Sequence, residues 1–270
     1  LNSKTVIVVG LGRSGVGAAK LLHSEGAKVI VLEKSRSSQA KQIAKELKSL
    51  GVQVELGKTL DISSFEPWIE NLESVIISPS IPWDHPTLKA LRTQGVKIKA
   101  EISLAWERLR EIPWVGITGT NGKTTITHMI SHILETNGFK APVGGNIGKA
   151  ATEIALALQK GEEERPNWIV MELSSYQLEA APEISPHLGI WTNLTPDHLE
   201  RHKNMTNYSR IKRKLIENSQ IKILNADDKY LSSQSDSFND AIWISAKNSE
   251  STNNLCQFWI DKEGFIRERS

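Results

Sequence analysis

The stretch "GITGTNGKTT" (116–125) decides how this chain is read. It completes the apolar run "WVGITG" (114–119), a strand by pattern. It then opens "KTTITHMISHILETNG" (123–138), a helix by spacing that closes on Asn137-Gly138. Glycines followed by Lys-Thr, between a strand and a helix, are the parts of a phosphate-binding loop. Free N–H groups at the helix start face an anion. Lys123 is placed to bridge the terminal phosphates of a nucleoside triphosphate, and the Thr124 hydroxyl to hold Mg²⁺. The common spacing G-x-x-x-x-G-K-[ST] is not met. The position six before Lys123 is Ile117, and the glycines fall at 116, 119 and 122, so the loop is a variant.

A second glycine-rich loop opens the chain. In "VIVVGLGRSG" (6–15), Gly10, Gly12 and Gly15 match G-x-G-x-x-G between strand "TVIVVG" (5–10) and helix "SGVGAAKLLHSEG" (14–26). Gly10 allows the tight turn, Gly12 lets backbone approach a diphosphate, and Gly15 lets helix meet strand. Glu33 ends the next strand, "KVIVLE" (28–33), where an acid takes ribose hydroxyls. A dinucleotide or a nucleotide-sugar fits this pattern.

Outward from the loops, strands and helices alternate. Helix "SQAKQIAKELKSLG" (38–51), strands "VQVELG" (52–57) and "SVIISPSI" (74–81), and helix "HPTLKALRTQG" (85–95) complete a first doubly wound parallel sheet. A boundary falls near 100–112, where the helix of "EISLAWERLREIP" ends at Pro113. Strands "NWIVMELSS" (167–175), "HLGIWTNLTPDH" (187–198) and "IKILNADD" (221–228), with helix "TNYSRIKRKLIENS" (206–219), build a second α/β domain. "AIWISAK" and "CQFWIDKEGFIRE" read as strands, the latter turning at Asp261–Gly264, with no helix after them to close the layer. The fold expected is α/β: a Rossmann-like doubly wound sheet over residues 1–101, then a P-loop-type α/β ATPase domain over 102–270, incomplete at its C-terminal end.

Length and composition set outer limits. The chain has 270 residues, enough for about two domains. It is 39% hydrophobic and 24% charged, with a formal net charge of +2, so no strong field argues for nucleic acid or a membrane surface. Cys256 is the single cysteine, which excludes an internal disulfide and a cysteine-based zinc cluster, and fits a reducing compartment. The expectation is a cytoplasmic monomer without signal peptide or membrane span.

Other residues could serve the second loop. Glu172 ends a buried strand, placed to reach Mg²⁺ directly or through water, or else to cap the helix in "ELSS". In "TPDHLERH", Asp197 and His198 follow a strand. His198 could ligate a metal, and His202 reads as solvated. His128 and His132 are one turn apart, but Ile126, Met129, Ile130 and Ile133 form the apolar face of their helix, so both read as surface residues. On composition alone Arg210, Lys212, Arg213 and Lys214 read as a solvated basic face.

Six stretches, "GTNGKTT", "GGNIG" (144–148), "ELSSYQLE" (172–179), "NLTPDHLERH" (193–202), "YSRIK" (208–212) and "NADD" (225–228), resemble the Mur ligases of bacterial cell-wall synthesis. The resemblance runs the length of the chain. "GLGRSG" and "ELSSYQLE" resemble the member that joins D-glutamate to UDP-N-acetylmuramoyl-L-alanine. The resemblance implies an ATP-dependent ligase acting through an acyl-phosphate, with D-glutamate as the attacking amine. It implies ATP contacts from Gly119, Thr120, Asn121, Gly122, Lys123, Thr124 and Thr125. It implies two Mg²⁺ sites, one on Thr124 and Glu172, the other on His198 and a carbamylated Lys212. Lys123, Glu172, His198 and Lys212 become the catalytic set. This changes the reading of Lys212, because a bare ammonium repels Mg²⁺ and a carbamate offers oxygen.

The resemblance also puts the uridine diphosphate of the substrate, not a dinucleotide, on the first loop. Gly12, Arg13, Ser14, Glu33, Lys34 and Ser80 are the matching positions, with Asn146, Ser174, Gln177 and His198 toward the sugar and peptide. Lys34-Ser35 and Ser80 depart from the residues common there. Relatives of this kind carry a further domain that binds D-glutamate and closes over ATP, so the 270 residues alone are expected to show little ligase activity. An oxidoreductase leaves the second loop unexplained, a P-loop kinase or switch leaves the first, and a non-catalytic UDP-sugar-binding module is the third reading for this stretch in isolation.

Overall fold

The structure, a computed structural model, describes residues 5–247 and 255–269. Its backbone contacts divide into two units. One comprises Leu1–Leu109, Gly148–Arg165 and Glu179–Ala181. The other comprises Arg110–Ile147, Pro166–Leu178 and Pro182–Ser270. No helix among the described residues is long and apolar enough to cross a membrane.

The first unit is built on β1 (Thr5–Val9), α1 (Arg13–Ser24), β2 (Lys28–Glu33), α2 (Ser38–Ser49), β3 (Gln53–Leu56), β4 (Leu72–Ile77), α3 (Pro86–Thr93), β5 (Lys97–Ala100) and α4 (Glu101–Leu109). The strands form one parallel sheet in the order β3-β2-β1-β4-β5. β1 is buried along its length, which explains its unbroken β-branched run. Ile7, Val9, Ile30, Leu32, Val75 and Ile77 meet Phe65, Leu88 and Leu91 on one face of the sheet. Each such side chain, fully buried, contributes about 1.5–3 kcal/mol. α2 is capped by the Ser37 hydroxyl and α3 starts with Pro86 behind His85, so both starts follow local sequence signals. The strand read as 74–81 stops at Ile77. The Ser78 hydroxyl then donates to the Val9 carbonyl, which ties the end of β4 to the end of β1.

The second unit holds β6 (Trp114–Thr118), α5 (Lys123–Thr136) and β7 (Val143–Gly145). After α6 (Ala151–Gln159), which belongs to the first unit, come β8 (Ile169–Glu172), α7 (Ser175–Ala180), β9 (Leu188–Trp191), α8 (Leu199–His202) and α9 (Met205–Asn218). β10 (Ile221–Asn225), α10 (Lys229–Ser232), β11 (Ile242–Ser245), β12 (Phe258–Ile260) and β13 (Ile266–Glu268) follow. The sheet order is β13-β12-β11-β10-β9-β6-β8-β7. Every pair is parallel except β12 with β13, whose turn is closed by Gly264 N–H on the Asp261 carbonyl. Trp191, Trp243, Tyr208, Ile216 and Leu224 form the core under α9.

Within the first unit α6 packs on α1 and α4. Gly17 allows this approach, since a Cβ there would lie 2.6 Å from Thr152 Oγ1. The Glu101 carboxylate, 1% exposed, accepts from the Thr152 N–H and hydroxyl at 2.9 and 2.6 Å. Burial pushes the Glu101 carboxyl up, with those two hydrogen bonds opposing.

Two expectations for side chains are corrected. Met129 and Ile133 were assigned to the apolar face of α5, and they are 57% and 56% exposed. The inward row is Ile126, Ile130 and Leu134, partly buried and one residue per turn, against Val115, Ile117 and Val170, and the fully buried positions of α5 are Thr127 and Ser131. His202, expected in solvent, is buried. It sits in the last turn of α8, where its ring stacks on Tyr208 at 5.2 Å. His128 and His132 are exposed as expected.

Candidate nucleotide-phosphate sites

Each unit carries its glycine loop at the carboxyl end of a central strand, β1 flanked by β2 and β4, β6 flanked by β8 and β9. In doubly wound sheets, connections diverge at such positions and leave room for a ligand.

In the first unit, Gly10 has φ of +102° and donates to the Leu32 carbonyl at 2.8 Å. A Cβ on Gly15 would lie 2.0 Å from the Gly10 carbonyl oxygen, so no larger residue fits that helix start. Gly12 is different. It is exposed, extended, and a Cβ there would meet nothing within 4 Å. Two glycines thus serve packing, and one leaves the rim open. Glu33 Oε2 accepts from Leu11 N–H at 2.8 Å, and Oε1 from Ser35 N–H at 2.6 Å. The carboxylate therefore ties the glycine loop to the end of β2. Arg13 donates to the Gly148 carbonyl at 2.6 Å. Ser14 is half-buried, and Lys34 and Ser80 are exposed.

In the second unit the loop from Gly119 to Gly122 is shaped from outside. Gly119 has φ of +151°, and a Cβ would lie 1.9 Å from Thr192 Oγ1. Gly122 is left-handed and stands at the N-terminus of α5. Asn193, at the end of β9, accepts on its Oδ1 from Thr120 N–H at 3.1 Å and Asn121 N–H at 2.8 Å. Lys123 Nζ donates to the carbonyls of Gly119 and Thr120. Thr124 and Thr125 lie exposed on the first turn of α5.

The acid at the end of β8 faces the loop. The Thr124 hydroxyl donates to Glu172 Oε2 at 2.7 Å, and the Asn146 amide donates to Glu172 Oε1 at 2.8 Å. β7 and β8 pair Gly145 with Glu172, and a Cβ on Gly145 would lie 2.4 Å from the Glu172 carbonyl. That close approach carries Asn146 to the acid and gives "GGNIG" a physical role. Ser174 and Gln177 are tied to each other, with Ser174 N–H and hydroxyl both 3.0 Å from Gln177 Oε1.

Lys212 is 1% exposed, not on a solvated face. Its Nζ donates to the Gly119 carbonyl at 2.7 Å, the same oxygen that Lys123 uses, and lies 4.8 Å from the Tyr208 ring centre. Burial pushes the Lys212 ammonium down to about 7, the Lys123 charge adds to this, and Asp197 opposes it. The Tyr208 hydroxyl lies 3.3 Å from Thr120 Oγ1. His198 is left-handed, with φ of 51°. Its ring is partly exposed between Asp197 and Glu200, 5.1 Å from the Tyr176 ring.

Lys123, Thr124, Glu172, Asn146 and Lys212 thus gather around one loop in the second unit, and His198 lies on a separate turn with its own acidic neighbours. Three contributors carry no assignment in the sequence reading: Thr192 and Asn193, which hold the loop, and Ser78, which fixes Gly10. Their one sequence signal is that each is a small polar residue just past a strand, the end where ligands bind.

The sheets, their switch-point loops and the Lys-Thr helix start define an α/β protein with two loops of the kind that bind nucleotide phosphates. Residues 117–263 match the Mur ligase middle domain, and residues 4–100 match the Mur ligase MurD-like N-terminal domain. The chain belongs to the Mur ligase family. A UDP-N-acetylmuramoylalanine–D-glutamate ligase of Prochlorococcus marinus strain MIT 9313 is 54% identical over 97% of this chain and 57% of its own length. One of Synechococcus sp. strain CC9605 is 50% identical over 98% of this chain and 57% of its own length. The chain therefore spans a little over half the length of these curated relatives. Among solved structures, the fold is shared with a Neisseria ligase for UDP-N-acetylmuramate and L-alanyl-gamma-D-glutamyl-meso-diaminopimelate, with a TM-score of 0.61 at 16% identity over 92% of this chain and 82% of that one. It is shared too with a UDP-N-acetylmuramate-alanine ligase of Thermotoga maritima, with a TM-score of 0.56 at 23% identity over 95% of this chain and 54% of that one.

Proposed function

We propose that the protein to which these residues belong is an ATP-dependent ligase that adds D-glutamate to UDP-N-acetylmuramoyl-L-alanine in the cytoplasm. The observation that carries this reading is the hydrogen-bonded row Thr124–Glu172–Asn146 at the mouth of the phosphate loop. It sets an oxygen pair against a helix start, and the similarity to D-glutamate ligases supports the choice of substrates.

The reaction needs little nucleophilic chemistry from the protein. The γ-phosphoryl group of ATP passes to the terminal carboxylate of the UDP-linked substrate. The amine of D-glutamate then attacks the acyl-phosphate, and amide, ADP and phosphate result. Positioning and charge neutralisation carry such a reaction. Free N–H groups of the first turn of α5 would receive phosphate oxygens. Lys123 Nζ, now on the Gly119 and Thr120 carbonyls, would turn to the phosphates.

The donors suit a hard cation. Thr124 and Glu172 offer oxygens, and among the described residues no group of three or more His, Cys, Asp or Glu converges, so phosphate and water oxygens would complete the shell, as Mg²⁺ prefers. When bound, Mg²⁺ would neutralise charge on the phosphates. A second ion on His198 and Lys212 requires oxygen from Lys212. With its amine near neutral at pH 7, Lys212 would add to CO₂, forming a carbamate N–C bond and releasing one proton. In the first unit, Gly12, Arg13, Ser14, Glu33, Lys34 and Ser80 would receive the uridine diphosphate; Asn146, Ser174 and Gln177, which the resemblance assigns to the sugar and peptide, belong to the second unit.

A phosphate-release assay with ATP, D-glutamate and UDP-N-acetylmuramoyl-L-alanine tests the reading on the full-length protein. Release that depends on all three substrates is expected. Release that ignores D-glutamate, or none at all, overturns it. The 270-residue chain is expected to bind the UDP-substrate by calorimetry.

A further inference from the structure

Asn193 grips the phosphate loop from the neighbouring strand through hydrogen bonds to both Thr120 and Asn121. Its Oδ1 accepts from Thr120 and Asn121 N–H, its Nδ2 donates to the Asn121 carbonyl at 3.0 Å, and its own carbonyl accepts from Thr120 N–H at 3.1 Å. The Thr192 hydroxyl donates to the same Asn121 carbonyl at 2.8 Å. The peptide groups on both sides of Asn121 are therefore engaged before any ligand arrives. The amides of Thr120 and Asn121 belong to the part of the loop that, in a common P-loop, would turn toward phosphate.

We propose that Asn193 is a positioning residue that divides the loop in two. Its carboxamide holds Thr120 and Asn121, and only the amides from Gly122 to Thr125 receive phosphate. The division explains the odd spacing of "GTNGKTT". A loop with fewer residues between its glycines has fewer amides to wrap an anion, and here two of those are assigned to a neighbouring strand. It also explains why the residue is an amide. A carboxylate could accept both N–H bonds, but it could not donate to the Asn121 carbonyl, and it would set a negative charge beside the phosphates. This inference rests on the phosphate reading of the second loop.

The test uses the ¹⁵N-labelled 270-residue chain with magnesium tripolyphosphate as the probe. Without the probe, the Thr120 and Asn121 amides should exchange with solvent about tenfold or more slowly than those of Gly122 and Thr124, as a net hydrogen bond implies. On titration, the amides of Gly122 to Thr125 should shift and those of Thr120 and Asn121 should hold. Asn193→Ala should bring the Asn121 amide to the exposed rate, while Thr120, which keeps its bond to the Asn193 carbonyl, should speed up only in part. Asn193→Asp, nearly identical in shape, should keep the protection and still weaken tripolyphosphate binding about tenfold, through one lost hydrogen bond and one added charge. A role in folding alone would not separate amide protection from phosphate affinity. Fast exchange of Thr120 and Asn121 in the unaltered chain overturns the proposal. So does their shifting together with Gly122 to Thr125, or an Asn193→Asp variant that binds as tightly as the original. If no loop amide responds to the probe, the phosphate reading falls and the division falls with it, while slow exchange at Thr120 and Asn121 would separate that failure from a failure of the clamp.

Discussion

The two glycine loops reach a similar position by opposite means. The loop after β1 takes its form mainly from its own glycines, with Gly15 against the Gly10 carbonyl, and Glu33 and Ser78 on the two adjacent strands only tie it down. The loop after β6 is shaped by residues about 70 to 90 positions away, Thr192, Asn193 and Lys212. A loop that encodes its own form leaves a spacing signature. A loop held by its neighbours can depart from the common spacing and still present a helix start to phosphate.

The contrast can be broken at four places. Gly15→Ala should be the most damaging, since its Cβ would sit 2.0 Å from backbone oxygen. Urea unfolding should show a loss of about 4 kcal/mol or failure to fold, in the range of severe core strain. Lys212 tests the second loop. The folded group titrates near 7 and the unfolded one near its ordinary 10.5, so between those values the unfolded chain holds a proton that the folded chain lacks. Stability should therefore rise with pH across that window, by up to about 5 kcal/mol from this group. Lys212→Met, compared in CO₂-free buffer, should lack that rise; equal slopes would show that burial does not set the lysine's titration.

Lys123→Ala should weaken binding of magnesium tripolyphosphate about 100-fold in calorimetry, as expected for a charge-assisted contact, with little change in unfolding. The smallest effect belongs to Gly12→Ala. With φ of −69° and open space around the Cβ, stability should change by no more than about 0.5 kcal/mol, with a gain more natural than a loss. Affinity for the UDP-substrate should nevertheless fall, because the added methyl occupies the open rim.

The sequence carried the elements with strong local signals. β1 and β6 are apolar runs that lead into glycine, β2 is an apolar run ending at Glu33, and α1, α5 and α9 have clear spacing and stops. The elements it did not disclose are those whose signals are short or shared. β5 has four residues, "KIKA", two of them charged. β7 is "VGG", a poor strand by propensity, held by its pairing with β8. α6 does carry a helix pattern in Ile154, Ala155 and Leu156, with Glu153 bonding back to the Ala150 N–H. At the second loop, Lys123, Thr124 and Glu172 were legible because motif and strand end coincide. Asn193 was not, because nothing local says that β9 lies beside β6. The burial of Lys212 was equally hidden: its neighbours Arg210, Arg213 and Lys214 are charged, and one inward position on a basic helix looks like the others.

The membership of α6 in the first unit bears on how the protein is made. A chain emerging from the ribosome delivers β1 to α4 early, with the Glu101 carboxylate already at the start of α4. Its hydrogen-bonding partner, Thr152, lies 51 residues downstream and is still in the tunnel or unsynthesised. At about 5–20 residues per second, the first unit waits several seconds for the helix that completes it. During that interval the small-residue face of α1 that carries Gly17 stays uncovered. A gene cut just after α4 would make that interval permanent.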